Sequence, residues 1–446
     1  MGGRPSKVAV LLTAASAVAF LAAPAGVAAR PSVGGGRARF KPPVEVTPDL
    51  GYGYEPAAVV DDFGNIFATA HKENWQLLVA PDPDSPTFTR SMSWDWVSVD
   101  DGRTWKDIPG LTPASLEQHE FGDEGDMALD DANHLYFADT YAADVTITRW
   151  TTSGRDEIAL DFTRPFAPAA EPVDDRPWIT AHGDGSVFYL GNEGDKETYT
   201  SPPGEGNGWG PGRYTLYASY DGAQTFDPLG YTLRDSGWCR PASDHAPGSP
   251  YVYVVCTNDE GKLYAFVSAD DGHSFTRYDM GTYNARDDTQ SWPTAEVAPD
   301  GSIWALYVDG VQGGIPETNR LKLFHSTNHG RTWSVQDITP KVGRYEYGWL
   351  SVSDSGRLGL GIYYRPDNAS DWRVYGAIWN PGQKPTLVSL DEGNPVQEAD
   401  CAEAPGDLMG SAFGPDGKLT VVWTRNTVPG TCGLVTNREI WSAHSD

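Results

Sequence analysis

Four arginines stand beside carboxylates in short polar stretches, each of which precedes an apolar run. A guanidinium group binds a carboxylate or a sulfate through paired hydrogen bonds, so arginines that converge in the fold would form a receptor for an acidic sugar. Each arginine can instead pair with a neighbouring acid and only tie segments of the fold together. Both interpretations stay open for the set Arg176, Arg240, Arg286 and Arg344.

Three of the sixteen tryptophans stand close to these arginines. Trp178, Trp292 and Trp349 each open an apolar, strand-like run. Their flat faces could stack against sugar rings at the mouth of a pocket. Other tryptophans, such as Trp105 and Trp333, end short turn motifs and are expected in the core.

A tyrosine and nearby carboxylates supply candidate catalytic groups. Tyr347 can attack an anionic sugar as a neutral hydroxyl, and Glu346 could take its proton. Neighbours on a strand point to opposite faces, which separates this pair. Asp126, in an acidic stretch before another apolar run, is the further candidate for proton transfer. The alternative role for Tyr347 is packing at the start of a strand.

A repeat of two apolar runs around a polar turn predicts the elements that position these residues. It recurs roughly every 60 residues, a little longer than a usual propeller blade. We therefore predict an all-β chain that forms a single β-propeller of seven four-stranded blades, or six if the segment around Gly248 is a loop. The stretch from Phe40 to Val46 could pair as the outermost strand of the last blade and close the ring. The repeated turns are centred on Gly64, Asn133, Gly185, Gly248, Gly301, Gly356 and Gly417.

A second, shorter repeat has the pattern Ser-x-Asp/Asn-x-Gly/Ala-x-Thr/Ser-aromatic. The Asp or Asn side chain can bind backbone N–H groups, glycine supplies positive φ, and the aromatic ring packs back onto the sheet. This pattern resembles the Asp box (BNR repeat) of sialidase-like β-propellers. In such propellers these turns lie away from the active site, so they imply architecture and not chemistry. The four copies span 98–105, 219–226, 268–275 and 326–333.

The resemblance also implies where the chemistry lies, namely at the channel rim where the innermost strands begin. The segment from Tyr347 to Tyr363 is similar to the sialidase segment in which a nucleophilic tyrosine begins an inner strand. The arginine of the family's first blade is absent, because Tyr54-Glu55-Pro56 stands there. The implied function is an exo-acting glycoside hydrolase for an acidic sugar. A polysaccharide lyase, with His245 as a base, and a non-catalytic glycan- or protein-binding propeller are the alternatives.

The ends of the chain and its cysteines indicate an extracellular protein. Residues 1–29 read as a secretory signal peptide, with basic residues, an apolar stretch and a small-residue cleavage site. Residues 30–37 are then a flexible N-terminal segment, and 38–446 form the propeller closed by its N-terminal outer strand. Of three possible connectivities for four cysteines, we expect the local pairs Cys239–Cys256 and Cys401–Cys432.

The formal charge of −28 limits the possible partners. Such a surface repels nucleic acid and anionic membranes, and no later segment reads as a membrane span. We expect a monomer whose partner is a glycan or polysaccharide. No cofactor is expected, although the acid-rich stretches 120–126 and 403–407 could coordinate a structural calcium ion.

Overall fold

The computed structural model describes most of the predicted propeller but not the N-terminal segment. The predicted signal peptide and the segment 30–37 lie outside the described residues. The described residues are 38–46, 53–71, 93–110, 124–141, 144–166, 177–192, 214–234, 236–258, 261–283, 292–310, 318–401, 404–406, 408–426, 428, 430, 432 and 438–446.

Every strand of the described chain belongs to one of seven four-stranded antiparallel sheets. Sheets 1 to 3 contain β2 (Tyr54–Val60), β3 (Ile66–His71), β4 (Trp94–Ser98) and β5 (Lys106–Asp107); β6 (Glu124–Leu129), β7 (His134–Tyr141), β8 (Asp144–Gly154) and β9 (Glu157–Phe166); β10 (Trp178–His182), β11 (Ser186–Asn192), β12 (Tyr214–Ser219) and β13 (Tyr231–Leu233). Sheets 4 and 5 contain β14 (Cys239–Ser243), β15 (Val252–Thr257), β16 (Lys262–Ser268) and β17 (Thr276–Thr282); β18 (Thr294–Val297), β19 (Ile303–Gly310), β20 (Asn319–Ser326) and β21 (Ser334–Asp337). Sheets 6 and 7 contain β22 (Arg344–Val352), β23 (Leu358–Arg365), β24 (Arg373–Trp379) and β25 (Val388–Ser389); β26 (Gly410–Phe413), β27 (Leu419–Asn426), β28 (Arg438–His444) and β1 (Val44–Glu45).

The sheets form a closed ring, which confirms the seven-bladed β-propeller. The first strand of each sheet contacts the first strand of the next, and β26 returns to contact β2. The segment around Gly248 is the turn between β14 and β15, so the six-bladed alternative is wrong. The last sheet is completed by β1, whose Val44 and Glu45 pair with Ser442 and Trp441 of β28.

The core lies between neighbouring sheets, because each sheet of the ring packs against one neighbour on each of its two faces. The second strands show this in their sequences: all six residues of β15 and all eight of β19 are buried. Strands covered on both faces read as continuous apolar runs. The outer strands β9 and β17 alternate between exposed and covered residues, as expected at the rim of the ring.

The four short repeats form turns between the third and fourth strands of sheets 1, 3, 4 and 5, and their geometry follows from local hydrogen bonds. In the first turn the Asp100 carboxylate accepts the N–H groups of Arg103 and Thr104 at 3.0 and 2.9 Å, and the Ser98 hydroxyl accepts that of Gly102. Gly102 has φ of 73°. We call the face of the ring that carries these turns the repeat-turn face. The opposite face, where the innermost strands begin, is the entrance face.

Both expected disulfides are present. Cys239 pairs with Cys256 across β14 and β15, and Cys401 pairs with Cys432. In the described part of the chain there is no helix able to cross a lipid bilayer.

Candidate active site in the central channel

The innermost strands carry most of the predicted site residues toward the channel. Asp126 lies on β6, Trp178 begins β10, and Arg240 is the second residue of β14. Trp292 precedes β18 by two residues, and Trp349 lies within β22. Arg176 and Arg286 lie outside the described residues, as do the acidic residues of the predicted calcium stretches other than Glu124 and Asp126.

Arg240 is enclosed by tryptophans from sheets 3 and 6. Its guanidinium carbon lies 3.8 Å from the ring centroid of Trp349 and 4.5 Å from that of Trp178. Trp292 completes the cluster, with its ring centroid 6.3 Å from that of Trp178. The three predicted tryptophans therefore meet in space, although they come from sheets 3, 5 and 6. Their exposed fractions are only 1–5%, so the rings face Arg240 and one another, and sugar stacking stays a prediction.

The Arg240 guanidinium is largely covered, with 13% of the side chain exposed, and has no close ion pair in the described part of the chain. Asp126 is its nearest carboxylate, at 3.9 Å between Nη2 and Oδ1. Nη1 is buried and finds no hydrogen-bond acceptor among the described residues, and the same is true of the indole nitrogen of Trp178. Burial lowers the pKa of Arg240, while the charges of Asp126 and Glu296 oppose that shift.

Asp126 is held by the neighbouring sheet. Its Oδ2 accepts the backbone N–H of Ile179 on β10 at 3.1 Å, and its side chain is buried. This bond fixes the carboxylate between sheets 2 and 3, with Oδ1 directed to Arg240. Asp126 thus orients the guanidinium through Nη2 and accepts no hydrogen bond from Nη1.

Glu296 on β18 is a site residue that our reading of the sequence missed. It is partly exposed, and no hydrogen bond links its carboxylate to the described residues. Burial in the channel raises its pKa to about 7, against the opposing charges of Arg240 and His245. The signal that could have revealed it is a single acid in an innermost strand whose other residues, Thr294, Ala295 and Val297, carry no charge.

Arg344 and Glu346 form an ion pair within β22. The Arg344 Nε lies 2.7 Å from Glu346 Oε1, and Glu346 is completely buried. Glu346 Oε2 also accepts the backbone N–H of Ala404 at 2.6 Å, which links sheet 6 to the segment before β26. This arrangement matches the alternative in which Arg344 pairs with a neighbouring acid and does not bind a sugar. The catalytic role of Glu346 stays a prediction; one of its oxygens lies in the ion pair and the other accepts the Ala404 N–H.

Tyr347 sits at a bulge in β22. The pairing of β22 with β23 shifts between Glu346 and Trp349, and Tyr347 has φ of 52°. A left-handed conformation costs a non-glycine residue about 1–2 kcal/mol, and such strain clusters at functional positions. Glu55 occupies the equivalent bulge in sheet 1, with φ of 51° and a carboxylate oxygen 3.3 Å from His71 Nε2. The Tyr347 ring joins the same buried cluster as the three tryptophans.

His245, the base of the lyase alternative, lies on the repeat-turn side and not at the channel rim where the resemblance implies the chemistry. Since β14 spans Cys239–Ser243, His245 follows that innermost strand instead of preceding it. The reason is that Cys239-Arg240-Pro241 is itself the innermost strand and not a loop before it. His245 Nδ1 lies 2.6 Å from Asp131 Oδ1. Burial lowers its pKa, but Asp131 outweighs that effect and the net pKa is raised.

Comparisons with known proteins return structures but no sequence matches. No family model and no curated protein matches this chain. A protein of unknown function from Dyadobacter fermentans is 13% identical, with 92% of this chain and 99% of that chain covered and a TM-score of 0.48. An ulvan lyase bound to -[GlcA(1-4)Rha3S]- is 9% identical, with 91% and 93% covered and a TM-score of 0.46.

An α-L-arabinanase from Penicillium chrysogenum, complexed with arabinobiose, is 13% identical, with 91% and 98% covered and a TM-score of 0.44. Since these TM-scores lie below 0.5, the similarities leave the activity of this chain unassigned.

Proposed function

We propose that this protein is a secreted, carbohydrate-active propeller of the sialidase-like, Asp-box type, and that it hydrolyses glycosides of an acidic sugar at the entrance face of its channel. The observation that carries the proposal is the Arg240 guanidinium, which lies between Trp178 and Trp349 and whose buried Nη1 finds no hydrogen-bond acceptor among the described residues. Leaving a buried donor unpaired costs about 1–3 kcal/mol, and more for a charged group. A carboxylate or sulfate ligand would recover that cost.

The carboxylates near Arg240 offer a proton donor and a group that orients the guanidinium. Glu296, with its raised pKa of about 7, is partly protonated near neutral pH and can donate that proton to the leaving glycosidic oxygen. Asp126, which accepts a backbone N–H and lies 3.9 Å from Arg240, is suited to orient the guanidinium. Tyr347, at the bulge in β22, is the proposed nucleophile, and its phenol proton would pass to Glu346 as the C–O bond forms.

A polysaccharide lyase remains the second candidate, because a buried arginine can neutralise a uronic acid carboxylate during proton abstraction. His245 is not suited to be its base, since it follows β14 on the repeat-turn side and its Nδ1 lies 2.6 Å from Asp131 Oδ1. Tyr347 would take that role. In a binding module without turnover, Arg240 would bind the sugar and no group would change protonation.

Product analysis distinguishes these functions. The mature protein is incubated with sialylated, uronic-acid-containing and sulfated glycans, and the products are identified by mass spectrometry. A released sugar with one added water supports the hydrolase, and an unsaturated product absorbing in the ultraviolet would replace it with a lyase. Release of neutral sugars only, or no product from any acidic glycan, would contradict the proposal.

The matched variants test the role of Arg240 in the same assay. Arg240→Lys keeps the charge but loses the planar fork, and we expect at least a hundredfold loss of kcat/KM. Arg277→Lys is the control, because Arg277 also stacks on an aromatic ring, Tyr264, but on the outer strand β17. Equal activity of the two variants would exclude Arg240 as the anion receptor.

A further inference from the structure

A groove on the repeat-turn face, distant from Arg240, has the chemistry of a different ligand. It lies between sheets 5 and 6 with a volume of ≈ 570 Å³, within the range of sites for small molecules. It is lined by the β18–β19 turn, the β22–β23 turn and the β24–β25 turn. All three turns connect strands on the side opposite the entrance face.

One wall of the groove is a pair of stacked rings. Trp304 on β19 and His325 on β20 are direct cross-strand partners, and their ring centroids lie 3.8 Å apart at an interplanar angle of 13°. Trp304 is buried, whereas His325 is partly exposed and lines the groove. The tryptophan therefore fixes a flat imidazole as the ring that a ligand would meet. Burial lowers the pKa of His325, so the imidazole is neutral at neutral pH.

The remaining lining is proline, hydroxyl and carboxylate. Pro299 and Pro381 add apolar surface, and Ser302 and Ser355 add hydroxyl groups. Asp300 is held by Ser302, whose hydroxyl donates to its Oδ1 at 2.6 Å. Asp354 is exposed and accepts no hydrogen bond from the described residues.

No lysine or arginine is among the described residues that line this groove. An acidic sugar would thus meet two carboxylates without a compensating cation, the reverse of the channel site. A neutral sugar presents C–H faces to a flat ring and hydroxyl donors to carboxylates, which fits every part of the lining. We propose that the groove between sheets 5 and 6 is a second, non-catalytic binding site for a neutral saccharide.

Calorimetric titration with neutral tetrasaccharides of glucose, xylose, mannose and galactose tests this site. We expect at least one to bind the wild type, and His325→Ala and Asp354→Asn each to weaken that binding about tenfold or more, the loss expected for one charge-assisted hydrogen bond or one stacking contact. His273→Ala is the matched control, because His273 stacks on Tyr220 on the same face but outside the groove. It should bind like the wild type.

The outcomes separate this proposal from the channel activity. Arg240→Lys should bind the neutral saccharide as tightly as the wild type does. If the proposed hydrolase activity fails, the affinity measured for the groove is therefore unaffected. The proposal is overturned if no neutral tetrasaccharide binds at millimolar concentration. It is also overturned if His325→Ala and His273→Ala weaken binding equally, or if the groove variants lose an acidic oligosaccharide instead.

Discussion

The raised pKa of Glu296 makes folding stability depend on pH in a way that one substitution should remove. In the native state the pKa is about 7, whereas the ordinary value is 4.5. Between these values the native state binds more protons than the unfolded chain, so the stability that Glu296 contributes is fully present below pH 4.5 and is lost as pH rises toward 7. Between pH 5 and pH 8 the expected loss is about 2.5 kcal/mol.

Glu296→Gln mimics the protonated acid at every pH and should abolish this component. The free energy of unfolding is measured by urea denaturation of wild type and variant at pH 5 and pH 8. We expect the variant to gain about 2.5 kcal/mol relative to wild type on going from pH 5 to pH 8. Glu157→Gln, on the exposed outer strand β9, is the matched control and should follow the wild type. If Glu296→Gln also follows the wild type within about 0.5 kcal/mol, the raised pKa of Glu296 in the native state is wrong.

Three further predictions concern the closing strand, a buried ion pair and a disulfide of the ring. Deleting residues 38–46 should lower the unfolding free energy by at least about 2 kcal/mol, because the buried Val46 is removed and β28 loses its outer neighbour β1; an unchanged thermal midpoint would contradict closure by β1. Glu346→Gln should cost about 3 kcal/mol by urea denaturation, since it removes the charge that faces Arg344; a cost below about 0.5 kcal/mol would show the pair to be incidental. Replacing Cys401 and Cys432 by serine opens a loop of 31 residues and should cost about 3.5 kcal/mol; a full denaturation curve that overlays the wild type would contradict this.

The fold was predictable because its signals are local. Two apolar runs around a turn predict each hairpin. Gly185 and Gly417 lie in such turns, and both have positive φ. The repeat of these hairpins then gives the number of sheets. The disulfide Cys239–Cys256 follows for the same reason, since its cysteines flank one hairpin and pair directly across it.

The candidate site was predictable only in part, because its residues meet across the ring. The position of Arg240 near acidic residues predicted it as a candidate anion-binding residue. Nothing in the sequence could show that Trp178 and Trp349 enclose it. Arg344 and Glu346 are two residues apart on a strand and therefore share a face, a signal that favours the ion pair observed. The bulge at Tyr347 inserts a residue into the alternation, so the direction of its side chain does not follow from counting along β22.

The central claim is that Arg240 binds the negative charge of a sugar. The direct measurement is calorimetry with an acidic oligosaccharide and its carboxyl-reduced, neutral counterpart, against wild type, Arg240→Lys and Arg277→Lys. We predict that the wild type and Arg277→Lys prefer the acidic form by about a hundredfold, as a buried charge-assisted pair allows, and that Arg240→Lys loses most of that preference. Equal affinity of the wild type for both forms, or an undiminished preference in Arg240→Lys, would contradict the account.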